Sequence, residues 1–344
     1  MDAARDPVED LRRIGFLLER AHEATYRVRA FRNAAAAISG REDLGRLAQT
    51  GELRRLKGVG DVTARCISES LAGQPPAYLV RLEDEAGGAP VTGPGSTAAG
   101  AELRAALRGD CHTHSDWSDG GSPIEEMAVT ARDLGHSYVV LTDHSPRLTV
   151  ANGLTADRLR HQLDIVAEIN EQLAPFRILT GIEVDILDDG ALDQQEELLA
   201  GLDLVVASVH SKLRMPAPEM TERMLTAVAN PHVDVLGHCT GRMVTGGRKR
   251  PESQFDADAV FAACAEHGVA VEINSRPERL DPPKRLLRLA LDAGCWLSID
   301  SDAHAPGQLD WLAYGCERAV ECEVPPERIV NTRPMDELLA WTQQ

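Results

Sequence analysis

The stretch Gly109-Asp110-Cys111-His112-Thr113-His114, with Ser118-Asp119-Gly120 close behind it, decides how this chain is read. A strand leading into Asp110 would end in a turn of histidines and carboxylates. His112 and His114 are two apart, so in extended backbone both side chains point the same way. Asp302 and His304 repeat that spacing far along the chain. A dinucleotide-binding sheet would need a glycine-rich turn after its first strand. Histidines stand there instead, which excludes that fold.

Working outward, short apolar runs read as buried strands of a parallel sheet. They are Tyr138-Val139-Val140-Leu141, Ile178 to Ile182, Leu204 to Ala207, Val233 to Leu236, Val269 to Ile273 and Trp296 to Ile299. Helical patterns lie between them. One opens at Ser122 and Pro123, with Glu125 as capping-box partner, and stops at Gly135. Another runs from Thr155 to Pro175 and would bury Leu159, Leu163, Val166, Ile169 and Leu173. Strand and helix alternate, which gives an open doubly wound sheet or a barrel. About seven strands are expected, where the standard β/α barrel has eight.

Six of the eleven histidines fall just past strand ends: His112, His114, His144, His210, His238 and His304. Asp119, Asp143, Glu183, Asp185, Asp300 and Asp302 accompany them. In a β/α barrel those ends converge on one face. Imidazole and carboxylate together suit Zn, Mn or Fe. One histidine at a strand end is ordinarily a hydrogen-bonded surface residue; six with carboxylates at successive ends are hard to obtain by chance. His22, His136, His161, His232 and His267 read as solvated.

The remaining composition excludes several classes. The seven cysteines are scattered without a Cys-x-x-Cys pair, which argues against a disulfide framework or a zinc ribbon. No run reaches the ~20 apolar residues of a membrane span, and the N-terminus has no apolar signal core. A cytoplasmic protein with no membrane partner is expected. Its oligomeric state is not legible.

Residues 109–304 resemble the PHP (polymerase and histidinol phosphatase) domain. The matching motifs are Gly109 to His114 with Ser118-Asp119-Gly120, Leu141-Thr142-Asp143-His144, Gly181-Ile182-Glu183, Ser208-Val209-His210-Ser211, Gly237-His238 and Ser301-Asp302-Ala303-His304. The resemblance implies an α/β fold, a distorted (β/α)7 barrel, with three divalent metal ions (Mn2+, Zn2+ or Fe2+). It implies that His112, His114, Glu183 and Asp302 hold one ion. Glu183 would bridge to a second, held also by His210 and His238. Asp119, His144 and His304 would hold the third. Cys239 stands where the family often has proline, and it reads as a small buried filler. Such a centre would hydrolyse phosphate esters with metal-activated water. Asp143 is expected to orient a ligand or donate a proton. Lys212, Arg242 and Arg276 follow strand ends and are candidates to hold substrate phosphate.

Charge divides the chain. The whole carries a formal −18, yet residues 1–80 hold 13 basic and 11 acidic side chains. The acidic remainder argues against a nucleic-acid binder; the mildly basic first part does not. Residues 1–80 read as an all-α domain, residues 81–106 as a flexible linker rich in Gly, Pro, Ser and Ala, and residues 107–344 as the barrel. In the first part, Leu56-Lys57-Gly58-Val59-Gly60-Asp61-Val62-Thr63-Ala64 looks like a helix-hairpin-helix. Gly58 and Gly60 would let backbone N–H groups approach a DNA phosphate. Tyr26 to Arg32, with Arg27 and Arg29, followed by that hairpin, resembles the N-terminal domain of DNA polymerase family X, whose bacterial members carry a C-terminal PHP domain. Between the two parts the polymerase fingers and palm are missing, so no nucleotide transfer is expected. Cys66 stands where some relatives carry a lyase lysine. The leading expectation is DNA 3′-end processing or 3′–5′ exonuclease activity. The alternative is a small-molecule phosphatase acting on histidinol phosphate or a nucleotide monophosphate.

Overall fold

The computed structural model describes residues 5–86, 97–245 and 249–343. The chain forms two compact units, Met1–Val91 and Thr92–Gln344. The first is all helical: α1 (Pro7–Arg20), α2 (Thr25–Ile38), α3 (Leu44–Gln49), α4 (Asp61–Leu71) and α5 (Ala77–Ala86). Leu11, Ile14 and Leu18 of α1 are fully buried, as their helical spacing predicts.

The second unit opens with α6 (Ala98–Ala106) and continues as strand–helix alternation. Its strands are β1 (Gly109–Thr113), β2 (Tyr138–Leu141), β3 (Arg177–Asp185), β4 (Leu204–Ser208), β5 (Val235–Leu236), β6 (Ala270–Asn274) and β7 (Leu297–Asp300). Between them lie α7 (Ile124–Asp133), α8 (Ala156–Leu173), α9 (Glu196–Leu199), α10 (Ala217–Val228), α11 (Ala257–His267) and α12 (Lys284–Asp292). The described chain ends with α13 (Leu312–Glu321) and α14 (Met335–Thr342). All six strand pairings are parallel, in the order β1 to β7.

Side chains alternate as a barrel wall requires. Val139, Leu141 and Ile178 pack with α7 and α8, while Tyr138, Val140, Leu179 and Val206 form a separate inner cluster. One irregularity aims the first histidine. Asp110 pairs with Val139 but Thr113 with Leu141, so Cys111 and His112 together oppose Val140. That bulge re-directs a side chain beside a functional centre.

The seam between β1 and β7 is closed partly by a side chain. Asn331 donates through Nδ2 to the carbonyls of Gly109 (3.1 Å) and Ile299 (2.6 Å), and its Oδ1 accepts from Ile299 N at 3.1 Å. The residue is wholly buried. Asn331→Leu would leave two carbonyls and one N–H unpaired in the seam. Each such loss costs about 1–3 kcal/mol, so three of them should cost the barrel at least about 3 kcal/mol in urea unfolding. An unchanged midpoint would show that the seam does not depend on this amide.

Three local expectations are corrected. The linker read over 81–106 is shorter, because α5 reaches Ala86 and α6 covers Ala98–Ala106; residues 87–96 lie outside the described residues. Leu79, Leu82 and Leu103 bury one face of these helices, which composition alone does not reveal. Helix α7 starts at Ile124 with Pro123 at the cap position and no side-chain cap, not with Ser122. His136 is buried rather than solvated; its Nε2 lies 3.0 Å from the Arg104 guanidinium, and burial with that charge lowers its pKa to about 3.

Candidate metal centre

The strand ends bring all nine sequence-predicted ligands together. His112 and His114 come from β1 and the turn after it, His144 follows β2, and Glu183 lies within β3. His210, His238 and Asp302 follow β4, β5 and β7. Glu183 is the hub. Its Oε2 lies 3.3 Å from His112 Nε2, 3.5 Å from His114 Nε2 and 2.9 Å from His144 Nδ1. Its Oε1 lies 3.1 Å from His210 Nε2 and 2.9 Å from His238 Nε2. Asp119 Oδ1 lies 3.5 Å from His144 Nε2 and 3.3 Å from His304 Nε2. Asp302 Oδ1 lies 3.5 Å from both His114 Nε2 and His304 Nδ1.

Among the described residues, three overlapping groups have donor atoms within 4.8 Å of one another: His114, Asp119, His144 and His304; His112, His114 and Glu183; and His144, Glu183 and His210. Several of these atoms are buried without a hydrogen-bond partner: both Glu183 oxygens, His112 Nε2, both ring nitrogens of His114 and of His210, and His144 Nδ1. Unpaired buried polar atoms are costly and require an explanation. Ligands at about 2.0–2.1 Å from a metal in tetrahedral array stand about 3.3 Å apart. The observed N···O separations scatter about that value without hydrogen-bond geometry. The donor set therefore fits divalent cations.

The electrostatics agree. Burial alone would raise the Glu183 pKa, but His210, His112 and His144 hold it well below the carboxylate range. Burial lowers the His210 pKa, yet Glu183 and Asp185 override it and push it up to about 9. A buried carboxylate that draws protons onto His112 and His210 is one from which a metal ion can displace them, while burial lowers the His114 and His238 pKa values.

The surrounding residues set this geometry. Asp302 has φ +52°, a left-handed conformation that a non-glycine residue keeps only under surrounding constraint. Glu272, missed in the sequence reading, lies 2.7 Å from His112 Nδ1 and accepts from His238 N. It fixes the ring that presents His112 Nε2. Its signal was present: an acidic residue inside the apolar run Val269 to Ile273.

The predicted catalytic residues divide. Asp143 accepts from Ser115 N (2.8 Å), Ser115 Oγ (2.6 Å), Ser118 Oγ (2.5 Å) and Gln162 Nε2 (2.6 Å), so its oxygens are saturated. It shapes the turn that carries Asp119 and is not placed as a proton donor. In that turn a Cβ on Gly120 would meet the Ser115 carbonyl at 2.6 Å, so only glycine fits. Lys212 is exposed and engages Asp188. Arg242 donates to the Arg279 and Leu280 carbonyls and so braces a loop rather than facing a phosphate. Arg276 does border the centre: its Nη1 lies 2.9 Å from His304 Nδ1 and 2.8 Å from the Asp302 carbonyl. Cys239 is buried among apolar residues, as a filler should be.

In the helical unit, Gly58 adopts φ +97°, and a Cβ there would meet the Asn33 carbonyl at 3.2 Å. Gly60 precedes α4, and its N–H donates to Thr63 Oγ1 at 2.9 Å. Arg27 is committed to Glu23 (2.6 Å) and the Tyr78 hydroxyl (2.7 Å), while Arg29 is exposed. Asp61, at the α4 N-terminus, pairs with Arg54 at 2.7 Å.

Residues 110–276 match the PHP domain model and residues 3–74 the helix-hairpin-helix domain model. The chain belongs to the PHP domain family, joined to an N-terminal helix-hairpin-helix domain, and is a metal-dependent phosphoester hydrolase. Among its relatives is the DNA polymerase/3′-5′ exonuclease PolX of Bacillus subtilis, 38% identical over 69% of this chain. The chain spans 41% of the length of PolX. A probable phosphatase of Edwardsiella ictaluri is 34% identical, with 65% of this chain and 90% of that protein covered. Among solved structures, histidinol phosphate phosphatase of Lactococcus lactis, complexed with zinc, L-histidinol and phosphate, has a TM-score of 0.45 at 18% identity, covering 63% of this chain and 92% of that one. Among the described residues no helix is long and apolar enough to cross a membrane.

Proposed function

We propose that this protein is a phosphoesterase that processes DNA 3′ ends, as a 3′–5′ exonuclease or an end-cleaning enzyme. The observation that carries the reading is the joining of a PHP unit to a helix-hairpin-helix unit in one chain. The similarity to PolX, named a 3′-5′ exonuclease, supports it. His112, His114, Asp119, His144, Glu183, His210, His238, Asp302 and His304 would hold up to three divalent ions. Bound there, such ions supply Lewis acidity toward the phosphoryl oxygens and acidify water near neutral pH. Glu272 keeps the His112 ring in one orientation, and Asp143 keeps the Asp119 turn in place. Arg276 offers positive charge at the rim. Gly58 and Gly60 would bring backbone N–H groups to a DNA phosphate, a contact that positions without reading sequence, and exposed Arg29 could add to it.

A second reading, a phosphatase for small phosphate monoesters, is favoured by one observation. A relative that this chain covers over 90% of its length, and that matches only 65% of this chain, is named a probable phosphatase. DNA affinity separates the two. The first reading expects binding that falls steeply with salt. It also expects Gly58→Val to weaken that binding by roughly tenfold, since one lost phosphate contact costs about 1.5 kcal/mol. Turnover of a small monoester should be unchanged in that variant. Salt-insensitive binding that ignores Gly58→Val, with efficient monoester turnover, would leave only the second.

A further inference from the structure

At the bulge in β1, three successive N–H groups donate to side chains. Cys111 N donates to Asp300 Oδ1 at 2.9 Å, His112 N to Asp110 Oδ1 at 3.2 Å and Thr113 N to Thr142 Oγ1 at 3.0 Å. Asp110 also reaches the other way. Its Oδ1 accepts from Ser301 N at 3.2 Å, and its Oδ2 accepts from Ser301 Oγ. Ser301 Oγ in turn accepts from Ala303 N at 3.2 Å.

β1 and β7 stand at the two ends of the strand order, and among the described residues no strand ladder joins them. Two carboxylates bridge the gap reciprocally. Asp110 of β1 holds the residue after β7, and Asp300 of β7 holds a residue of β1. Both are wholly buried. The two backbones meet just above, where His114 N donates to the Ala303 carbonyl at 2.8 Å. This seam carries four of the nine predicted ligands. His112 lies in β1 and His114 just past it, and Asp302 and His304 follow β7. They face one another across it: His114 Nε2 lies 3.5 Å from Asp302 Oδ1, and the His114 and His304 ring centroids are 4.2 Å apart. A functional constellation must be held to within about 0.5 Å by the residues behind it.

We propose that Asp110 and Asp300 are positioning residues of the metal centre. Together they set the spacing of β1 and β7, and so the ion site that His112, His114 and Asp302 share, without touching the ion. The inference rests on the reading of these ligands as a metal centre and not on which phosphoester is cleaved.

Chelator titration of the metal-loaded protein tests this, with bound metal measured directly and melting of the metal-free protein followed beside it. Asp110→Ala and Asp300→Ala should each lower the chelator concentration that strips half the metal by about 10- to 100-fold. Asp110→Asn and Asp300→Asn should retain metal as the wild type does, because an amide oxygen still accepts from the same N–H groups. Alanine variants that melt early yet hold metal normally would reduce both residues to a role in folding and overturn the proposal. Asparagine variants that lose metal as the alanine ones do would overturn it too, since charge and not the brace would then be at work. Should an alanine variant fail to fold, Ser301→Ala decides the matter. It removes the hydroxyl that joins Asp110 Oδ2 to Ala303 N, and wild-type metal retention there would overturn the brace. A wild type that binds no divalent metal would overturn the reading of the centre itself, a result distinct from any of these.

Discussion

Glu183→Gln should leave the barrel folded and reduce phosphoester hydrolysis by at least about a thousandfold. Among the described residues Glu183 is the single side chain within 3.5 Å of five imidazoles, those of His112, His114, His144, His210 and His238. Glutamine keeps the volume, so packing should survive. It removes the charge and replaces one acceptor oxygen with an NH2 group. That group cannot ligate, and it presents hydrogens to imidazole nitrogens turned toward a cation. Metal ions supply several kcal/mol of transition-state stabilisation, and each 1.36 kcal/mol is tenfold in rate. The metal content of the variant should fall with its activity. Turnover near that of the wild type would remove Glu183 from the centre.

Glu272→Gln should weaken metal retention by about 10- to 100-fold, the usual effect of losing a residue that orients a ligand. Glu272 is wholly buried and holds two ligand segments at once, through the His112 ring and the His238 backbone N–H. The amide can still accept from His238 N. It cannot supply the charge that makes His112 Nδ1–H a strong donor and its Nε2 a more basic ligand. The chelator concentration that strips half the metal should drop by that factor, with little change in melting of the metal-free protein. Equal chelator resistance would reduce Glu272 to a packing role.

Much of this was legible because its causes are local. The strands announced themselves as short apolar runs, and β2, β4 and β7 fall within a residue of where Tyr138 to Leu141, Leu204 to Ala207 and Trp296 to Ile299 place them. Histidines and carboxylates at strand ends follow from parallel topology, which turns every C-terminal end toward one face. What failed depends on partners far away in sequence. Arg242 looked like a phosphate ligand because it follows a strand, but its partners are carbonyls 37 and 38 residues on. Asp143, read as orienting a ligand or donating a proton, is held by Ser115, Ser118 and Gln162, and those contacts fit the orienting role. Residues 98–106 looked like linker because alanine and glycine carry no pattern, and residues 81–86 were drawn in beside the Gly- and Pro-rich run that follows them, yet both segments are helical. Asn331 closes a seam that no periodicity marks.

The −18 charge reads differently beside the structure. Part of the acidity is Glu183, Asp119 and Asp302, which face imidazoles, and part is Glu272, Asp281 and Asp143, which organise loops and rings from the interior. Such carboxylates add nothing to repulsion between the surface and an anionic substrate once their charge is met by cations.

The most direct test measures bound divalent metal and phosphoester turnover on the same purified samples, before and after chelation and after metal is restored. The account predicts that turnover vanishes with the metal, returns with it, and returns in the wild type but not in Glu183→Gln. Full turnover by wild-type protein stripped of metal would contradict it.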